Sequence, residues 1–260
     1  MSMKEAPLLS VTGICKRYGQ ITALHDASFD LWPGEVMAIV GESGSGKSTL
    51  LNAIAALDRP DAGKVEFLCR DGSVQSVYAM TQAQQRLLAR TDWGFVHQNA
   101  AMGLRMDVSA GANIGERLMG LGERNYSKLR STAEQWLQRV EIDATRIDDA
   151  PRVFSGGMRQ RLQIARNLVT NPRLVFMDEP TSGLDVSVQA KLLDLLRQLT
   201  RQMKLAVVIV THDLAVARLL AHRMMVMQRG RIVEVGLTDQ VLDDPQHAYT
   251  QLLVSSVLQP

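Results

Sequence analysis

Residues 41–49, GESGSGKST, constrain the fold of this chain more than any other segment. They match the pattern G-x-x-x-x-G-K-[ST] and follow a continuous apolar run at 36–40, VMAIV, which predicts a buried parallel strand. A helix is expected from Lys47 to about Leu57. Because this motif binds phosphate where it joins a strand to a helix, the segment predicts a phosphate-binding loop at one end of a parallel sheet.

The residue types of this loop suit a nucleotide. Its glycines allow backbone amides to turn toward phosphate oxygens. Lys47 would bring positive charge to the β- and γ-phosphates, and Ser48 offers a hydroxyl to Mg²⁺. The expected contacts to the nucleotide come from Gly41, Glu42, Ser43, Gly44, Ser45, Gly46, Lys47, Ser48 and Thr49.

A second apolar run, LVFMDEP at 174–180, contains adjacent carboxylates. It would place Asp178 at the carboxyl end of a buried strand, beside the phosphate loop, where it can hold Mg²⁺ through water. Glu179 follows directly and could orient or deprotonate an attacking water. Such a run is common on its own, but its position downstream of a phosphate loop favours this role.

Three further residues are candidates because of their placement. Gln98 follows the apolar segment WGFVH and could reach the metal or the attacking water. His212 follows the strand-like VVIVT on the same sheet edge and could contact the γ-phosphate. Tyr18 lies just ahead of the core and could stack on an adenine. Taken singly, residues of these kinds are more often structural than functional.

The remaining pattern predicts an α/β protein with a mainly parallel sheet, because strand-like runs alternate with helical periodicity. VEFLCR and SVQSVYAM predict a hairpin around Asp71-Gly72. Residues from about 81 to 172 are mostly helical in pattern, and Ser127 is the predicted cap of a helix that includes Trp136.

Composition limits the partners. The net charge of +2 is too small to indicate nucleic acid or a membrane surface. No run approaches the roughly 18 apolar residues that span a bilayer, and residues 1–10 have no signal-peptide pattern. The two cysteines and five histidines lack metal-ligand spacing. We expect a cytoplasmic protein with reduced cysteines and no nucleic-acid partner.

Taken in order, these motifs resemble the ATP-binding cassette (ABC-type) ATPase family. FSGGMRQR at 154–161, SGLD at 182–185 and THD at 211–213 complete the set. The resemblance covers roughly residues 8–237 and leaves 238–260 as a short C-terminal helical extension. It implies a P-loop NTPase core with an antiparallel β subdomain, an inserted helical subdomain within about 81–172, and hydrolysis of Mg-ATP.

The resemblance also implies residue roles. Tyr18 matches the aromatic residue that stacks on adenine, and Gln98 matches the glutamine that links the nucleotide to the helical subdomain. Asp185 matches the aspartate of a dimer-contacting loop, and His212 the switch histidine. The implied catalytic residues are Glu179, His212 and Gln98, and the implied Mg²⁺ ligands are Ser48, Gln98 and Asp178.

FSGGMRQR would be a second phosphate site on the same chain, since a serine and glycines at a helix N-terminus favour anionic oxygens. In the ABC family two cassettes pack head to tail. The resemblance therefore implies that Ser155, Gly156 and Gly157 act on the nucleotide held by a partner. Each chain has one phosphate loop and one SGG signature, so a complete site requires a second copy of the chain or a homologous cassette.

This signature departs from the family's commonest form at two flanking positions. Phe154 replaces a leucine at an expected packing position. Met158 replaces a glutamine and removes an amide side chain. Neither departure touches Ser155 or the glycines.

Two branches of the family share features with the chain. SGGMRQR and the tail DDPQHAYTQLLVSS at 243–256 resemble the ATPase subunits of oligopeptide, dipeptide and nickel importers, which work with membrane permease subunits. The proline-rich stretch and C-terminal cysteine cluster typical of that branch are absent from the sequence. The chain length and SAGANIGERLM at 109–119 are closer to the ATP-binding subunit of the bacterial carbon–phosphorus lyase system, which serves a soluble multi-subunit enzyme of phosphonate breakdown.

Other classes are disfavoured by the same residues. A kinase that shares only the phosphate loop would have no use for SGG, SGLD or His212. A nucleic-acid-associated cassette would be expected to have a long coiled-coil insertion or a strongly basic surface, and neither is in the sequence. A cassette that binds ATP without hydrolysis would be expected to lack Glu179 or His212.

Overall fold

The computed structural model describes residues 6–257 of the chain. Two short segments lie outside the described residues. They are residues 1–5, which belong to the segment without a signal-peptide pattern, and residues 258–260, which belong to the predicted C-terminal extension. The described chain divides into two compact units. The first contains residues 6–85 and 204–257, and the second contains residues 86–203.

The secondary structure alternates as the sequence predicts. The strands are β1 Leu9–Tyr18, β2 Ile21–Leu31, β3 Val36–Val40, β4 Ala62–Leu68, β5 Val74–Ser76, β6 Trp93–Val96, β7 Leu174–Asp178, β8 Ala206–Val210, β9 Arg223–Gln228 and β10 Arg231–Leu237. The helices are α1 Lys47–Ile54, α2 Gln82–Thr91, α3 Ala100–Gly103, α4 Ala110–Met119, α5 Tyr126–Arg139, α6 Gly156–Leu168, α7 Val186–Met203, α8 Leu214–Leu220, α9 Thr238–Asp243 and α10 Ala248–Val257.

The first unit contains an antiparallel sheet and a set of mainly parallel strands. In the antiparallel sheet, β1 pairs with β2 and β4, and β4 pairs with β5. In the other set, β3 runs parallel to both β8 and β9, and β10 is antiparallel to β9. Every residue of β3 and β8 is buried, as the continuous apolar runs predict. The strand that leads into the phosphate loop is therefore flanked by strands on both sides.

Local predictions in the first unit are confirmed, with differences at the ends of elements. β3 has the predicted bounds, and β4 and β5 form the hairpin around Asp71-Gly72, with Gly72 at φ 83°. The second strand of the hairpin is shorter than SVQSVYAM predicts, because it ends at Ser76 and Val77–Ala79 form a 3-10 turn. α1 ends at Ile54, before the expected Leu57, and Ala56 then adopts a left-handed φ of 58°.

The second unit combines a parallel strand pair with most of the helices. β6 and β7 pair in parallel, and the rings of Trp93, Phe95 and Phe176 pack together on this pair. The predicted cap of α5 was wrong. Asn125, rather than Ser127, caps α5 by accepting a hydrogen bond from the Lys128 amide at 3.1 Å. An asparagine in extended conformation caps as well as a serine does, so the helix begins earlier and Ser127 lies in its first turn.

None of the helices in the described part of the chain is long and apolar enough to cross a membrane.

Candidate nucleotide site

The phosphate loop joins the carboxyl end of β3 to the N-terminus of α1. Gly41, Gly44 and Gly46 have φ values of 145°, 79° and 101°, which side-chain-bearing residues rarely adopt. A Cβ atom on Gly41 would lie 2.2 Å from the Met227 carbonyl oxygen, and one on Gly46 would lie 2.6 Å from that of Ala23. Backbone conformation and packing therefore both require glycine at positions 41 and 46.

Lys47 is held by the carbonyls of its own loop. Its buried ammonium group donates hydrogen bonds to the Gly41 and Glu42 oxygens at 2.7 and 2.8 Å. The Ser45 hydroxyl is buried and has no hydrogen-bond partner among the described residues. Ser48 is exposed and Thr49 is half-buried in the first turn of α1. A buried cation and an orphaned hydroxyl at a helix N-terminus suit an anionic ligand.

Tyr18 lies at the end of β1 with a half-exposed side chain. Its hydroxyl is hydrogen-bonded to the Asp58 carboxylate, which also accepts a hydrogen bond from Lys16 Nζ at 2.6 Å. The Lys16 and Tyr18 hydrogen bonds lower the pKa of Asp58, and the Asp58 hydrogen bond raises the pKa of Tyr18. The Thr49 side chain also forms a hydrogen bond with the Tyr18 side chain. The aromatic ring is therefore fixed at its hydroxyl end beside the phosphate-loop helix.

His212 lies at the same strand edge as the phosphate loop. β8 runs parallel to β3 with Val210 opposite Ile39, and the Thr211 amide donates to the Ile39 oxygen at 3.1 Å. His212 follows Thr211 and is exposed. The two parallel strands thus bring their carboxyl ends together, as predicted for this histidine.

Gln98 and Glu179 lie together in the second unit. Val96 at the end of β6 pairs with Met177 near the end of β7, so the residues that follow both strands share one edge. Gln98 Nε2 donates to Glu179 Oε2 at 3.4 Å and to Ser182 Oγ at 3.1 Å. Glu179 has a φ of 41°, a conformation that costs about 1–3 kcal/mol for a non-glycine residue and is concentrated at functional sites.

Asp178 ends β7 and is half-buried. Its negative charge interacts electrostatically with the His97 side chain. Burial lowers the pKa of His97, and the Asp178 charge raises it in part. The Asp178 carboxylate and the Gln98 amide oxygen in the second unit, and the Ser48 hydroxyl in the first, are each oxygen donors of a type that Mg²⁺ accepts, so the chemistry of these residues fits this ion. In the described part of the chain, no cluster of three or more His, Cys, Asp or Glu residues forms a separate metal site.

The segment before Gln98 is bound to α6, the helix that begins at the SGG signature. The His97 amide donates to Gln163 Oε1 at 2.6 Å, and the His97 carbonyl accepts from Gln163 Nε2 at 3.1 Å and from Gln160 Nε2 at 3.2 Å. Gln163 is completely buried and Gln160 nearly so. Buried amides with both groups paired make a rigid connection. Sequence reasoning missed both glutamines, because each looks like an ordinary helical residue.

The signature itself faces outward at the start of α6. Ser155 is the N-cap and accepts a hydrogen bond from the Met158 amide at 3.3 Å. Ser155 and Gly156 are exposed, whereas Gly157 is buried and a Cβ atom there would lie 2.5 Å from Val188 Cγ1. Gly157 is therefore required by packing against α7, while Ser155 and Gly156 are open to a ligand.

The two departures from the common signature contact one arginine. The Arg146 guanidinium lies 4.6 Å from the centroid of the buried Phe154 ring and donates to Met158 Sδ at 3.5 Å. Arg146 also donates to Asp149 at 2.7 Å. Both flanks of the signature thus pack on a single charged side chain, which explains how they tolerate an aromatic ring and a thioether.

Asp185 lies directly before α7 and is exposed, and its carbonyl accepts a hydrogen bond from the Gln189 amide at 2.8 Å. Between this segment and the signature, the second unit has a cleft of about 370 Å³. Its lining includes Gln98, Gly156, Arg159, Ser182, Gly183 and Leu184. One cleft of the second unit is therefore lined by Gln98, the signature and the segment before Asp185. The first unit contains Tyr18, the phosphate loop and His212.

The known proteins that resemble this chain are ATP-binding proteins of the ABC transporter family. The chain matches the ABC transporter family over residues 24–182. It is 64% identical over 253 residues to the phosphonates utilization ATP-binding protein PhnK of Escherichia coli, covering 97% of this chain and 98% of that protein. It is 36% identical to a peptide import ATP-binding protein of Brucella ovis, covering 99% of this chain and 81% of that protein. It is also 36% identical to the di/tripeptide transport ATP-binding protein DppF of Pseudomonas aeruginosa, covering 94% and 74%.

Solved structures confirm the fold class. The ATP-binding cassette MJ0796, in a dimeric post-hydrolysis state bound to ADP and Pi, matches with a TM-score of 0.78 and 30% identity, covering 88% of this chain and 98% of that one. CbiO1 from Clostridium perfringens, part of an ABC transporter complex, matches with a TM-score of 0.79 and 25% identity over 92% of each chain. The predicted α/β P-loop NTPase fold is confirmed.

Proposed function

The chain belongs to the ABC transporter family as an ATP-binding ATPase subunit, and we propose that it dimerises around Mg-ATP and drives conformational change in a carbon–phosphorus lyase complex during phosphonate catabolism. The observation that carries this proposal is the 64% identity to PhnK over 98% of that protein. In this proposal the subunit is cytoplasmic, and its partners are a second copy or a homologous cassette and the soluble subunits of the lyase.

ATP is bound first by the phosphate loop. Lys47 brings its ammonium charge to the β- and γ-phosphates while the loop carbonyls keep it in place, and the loop amides and the Ser45 hydroxyl add donors. Tyr18 stacks on the adenine, with Asp58 holding its hydroxyl. Mg²⁺, when bound, would neutralise developing phosphate charge, and Ser48, Gln98 and Asp178 would hold it.

Hydrolysis needs a water aligned with the γ-phosphate. Glu179 is the proposed base that orients this water and accepts its proton, and the hydrogen bond from Gln98 keeps the carboxylate in place. His212 contacts the γ-phosphate and stabilises the charge that builds there. The position of Glu179 directly after β7 and its hydrogen bond from Gln98 support a catalytic role.

The composite site is proposed to form in trans. Ser155 and Gly156 are exposed at a helix N-terminus, and that position favours the anionic γ-phosphate of a nucleotide on a second chain. Asp185 is proposed to contact the partner from the same unit. The dimeric state of MJ0796 supports this arrangement. The rigid connection from α6 to His97 would pass closure of the dimer to Gln98 and then to a docked partner.

A deletion strain tests the coupled system. A strain without this gene should fail to grow on a phosphonate as sole phosphorus source and should grow normally on inorganic phosphate. The wild-type gene should restore growth on the phosphonate, whereas a gene encoding Glu179→Gln should not. Growth of the deletion strain on the phosphonate at the parental rate would contradict the assignment.

The second candidate is the ATPase subunit of an oligopeptide, dipeptide or nickel importer, which the 36% identity to peptide import ATPases favours. Affinity purification of the tagged chain from untreated cells separates the candidates. Co-purification of an assembly that cleaves phosphonates supports the first, and co-purification of a membrane permease supports the second.

A further inference from the structure

The C-terminal helix α10 reaches the phosphate loop through Tyr249. The Glu42 amide donates a hydrogen bond to the Tyr249 hydroxyl oxygen at 3.0 Å. Tyr249 is only 7% exposed, so its ring is packed and its oxygen has a defined position. Both residues belong to the first unit. A segment near the end of the chain therefore contributes directly to the geometry of the nucleotide site.

The contact acts on one peptide unit that Lys47 holds from its other side. The peptide between Gly41 and Glu42 offers its N–H to Tyr249 and its carbonyl to Lys47 Nζ, which donates at 2.7 Å. Because a peptide unit is planar, fixing its N–H also fixes the direction of its carbonyl. Gly41 has a φ of 145°, which only glycine adopts readily, and a glycine also restricts its ψ angle least, so the contact from Tyr249 removes freedom that the Gly41 residue leaves to this peptide.

The start of α10, which carries Tyr249, is held by hydrogen bonds to β10. The Glu234 carboxylate, on β10, accepts hydrogen bonds from the Gln246 and His247 amides at 2.8 and 3.0 Å. The Tyr249 amide donates to His247 Nδ1 at 3.1 Å. Burial raises the pKa of Glu234, but hydrogen bonds including those from Gln246 and His247 outweigh it and leave the pKa lowered, so this carboxylate stays charged at neutral pH. The start of α10 is thereby fixed to the sheet that carries the phosphate loop.

We propose that Tyr249 is a positioning residue of the nucleotide site, which orients the Gly41–Glu42 peptide and thereby keeps Lys47 placed for the phosphates. The inference rests on the proposed role of the phosphate loop in binding ATP. It makes α10 part of the nucleotide site rather than a passive extension. By thermodynamic linkage, ATP binding must then stabilise the docked position of α10 by the same free energy with which Tyr249 favours ATP.

Tyr249→Phe tests this proposal because it keeps the ring and removes only the oxygen. Losing one hydrogen bond of about 1 kcal/mol should raise the KM for ATP, and the Kd for a fluorescent ATP analogue, by roughly fivefold. The kcat should stay within about twofold, since the group acts in binding and not in the chemical step. Matched controls are Tyr126→Phe, at a side chain that is 71% exposed, and Leu252→Ala, at an α10 side chain that is 69% exposed.

Hydrogen exchange adds a measurement that would not depend on ATP if Tyr249 only stabilised the fold. Addition of ATP should slow amide exchange in α10 of the wild type and of Leu252→Ala, and this protection should be lost in Tyr249→Phe. Unchanged ATP affinity in Tyr249→Phe together with normal α10 protection would overturn the inference. A fall in kcat and in melting temperature without a change in KM would overturn it as well.

Lys47→Ala separates failure of the inference from failure of the proposed function. If Lys47→Ala binds the analogue as tightly as the wild type, the role of the phosphate loop is wrong and the inference fails with it. If Lys47→Ala loses binding while Tyr249→Phe behaves as the wild type, the inference alone is overturned.

Discussion

At the scale of single residues, the contact between Tyr18 and Asp58 predicts an effect on nucleotide affinity. Asp58 receives hydrogen bonds from Tyr18 and Lys16, and Lys16 Nζ lies 5.2 Å from the centroid of the Tyr18 ring that is proposed to stack on adenine. Asp58→Asn should loosen the ring and raise the KM for ATP about twofold to fivefold with little change in kcat, because partly exposed charged contacts contribute about 1 kcal/mol or less. Steady-state ATPase assays measure this split.

Asp71→Asn is the matched control, because Asp71 hydrogen-bonds only within its hairpin turn to Ser73 among the contacts described. Equal KM values for the wild type, Asp58→Asn and Asp71→Asn would show that the Asp58 contact does not position the ring.

The same carboxylate predicts a pH dependence of stability. Hydrogen bonds from Lys16 and Tyr18 lower the pKa of Asp58 below its usual 3.8 in the folded state. Its contribution to folding is therefore complete above pH 3.8 and disappears as the pH falls through the lower, folded-state pKa. The difference in melting temperature between the wild type and Asp58→Asn should be present at pH 7 and should shrink below pH 4. A difference that grows as the pH falls from 4 would contradict this expectation.

At the scale of secondary-structure elements, the hydrogen bonds between α6 and the β6 end predict that dimer closure depends on Gln163. Gln163→Leu would leave the partly buried His97 N–H unsatisfied and would remove one of the two hydrogen bonds to the His97 carbonyl, at a cost of about 1–3 kcal/mol. We expect a lower melting temperature and a lower kcat for ATP hydrolysis, with nearly unchanged affinity for a fluorescent ATP analogue, since the phosphate loop belongs to the other unit.

Gln135→Leu on the exposed face of α5 is the control for added apolar surface. If Gln163→Leu loses stability but keeps a wild-type kcat, the α6 connection is structural and does not transmit closure.

The same elements show how far the sequence predicts this molecule. β3 and the start of α1 follow from the apolar run and the glycine pattern, because both signals are local. Asp58, Gln163 and Tyr249 could not be predicted, since each acts on a residue distant in sequence: Tyr18, His97 and Glu42 respectively. Sequence spacing predicts which face a residue occupies, but it does not predict which distant backbone group that face meets.

At the scale of the whole molecule, blocking hydrolysis should accumulate the closed dimer. Glu179→Gln keeps the shape of the side chain and its contact with Gln98 but removes the proposed base. With ATP and Mg²⁺, this variant should elute as a dimer that retains ATP. The wild type should hydrolyse its ATP, and its closed dimer should then reopen. Size-exclusion chromatography with nucleotide analysis measures both, with Glu134→Gln on α5 as control. Turnover by Glu179→Gln at the wild-type rate would exclude the role of Glu179.

Mixed dimers test the proposed sharing of sites between two copies, because the same two substitutions can be arranged in two ways. When Lys47→Ala and Ser155→Arg are on separate chains, one phosphate loop and the opposite signature remain intact, so one composite site survives. When both changes are on one chain paired with the wild type, neither composite site is complete. Heterodimers isolated with two affinity tags should therefore hydrolyse ATP in the first arrangement and not in the second. Since both carry identical substitutions, differences in folding or charge cancel. Activity only in the second arrangement would show that each signature acts on its own chain, because the wild-type chain would then keep a complete site. Equal activity in the two arrangements would contradict the sharing of sites, and the outward exposure of Ser155 and Gly156 would then need another explanation.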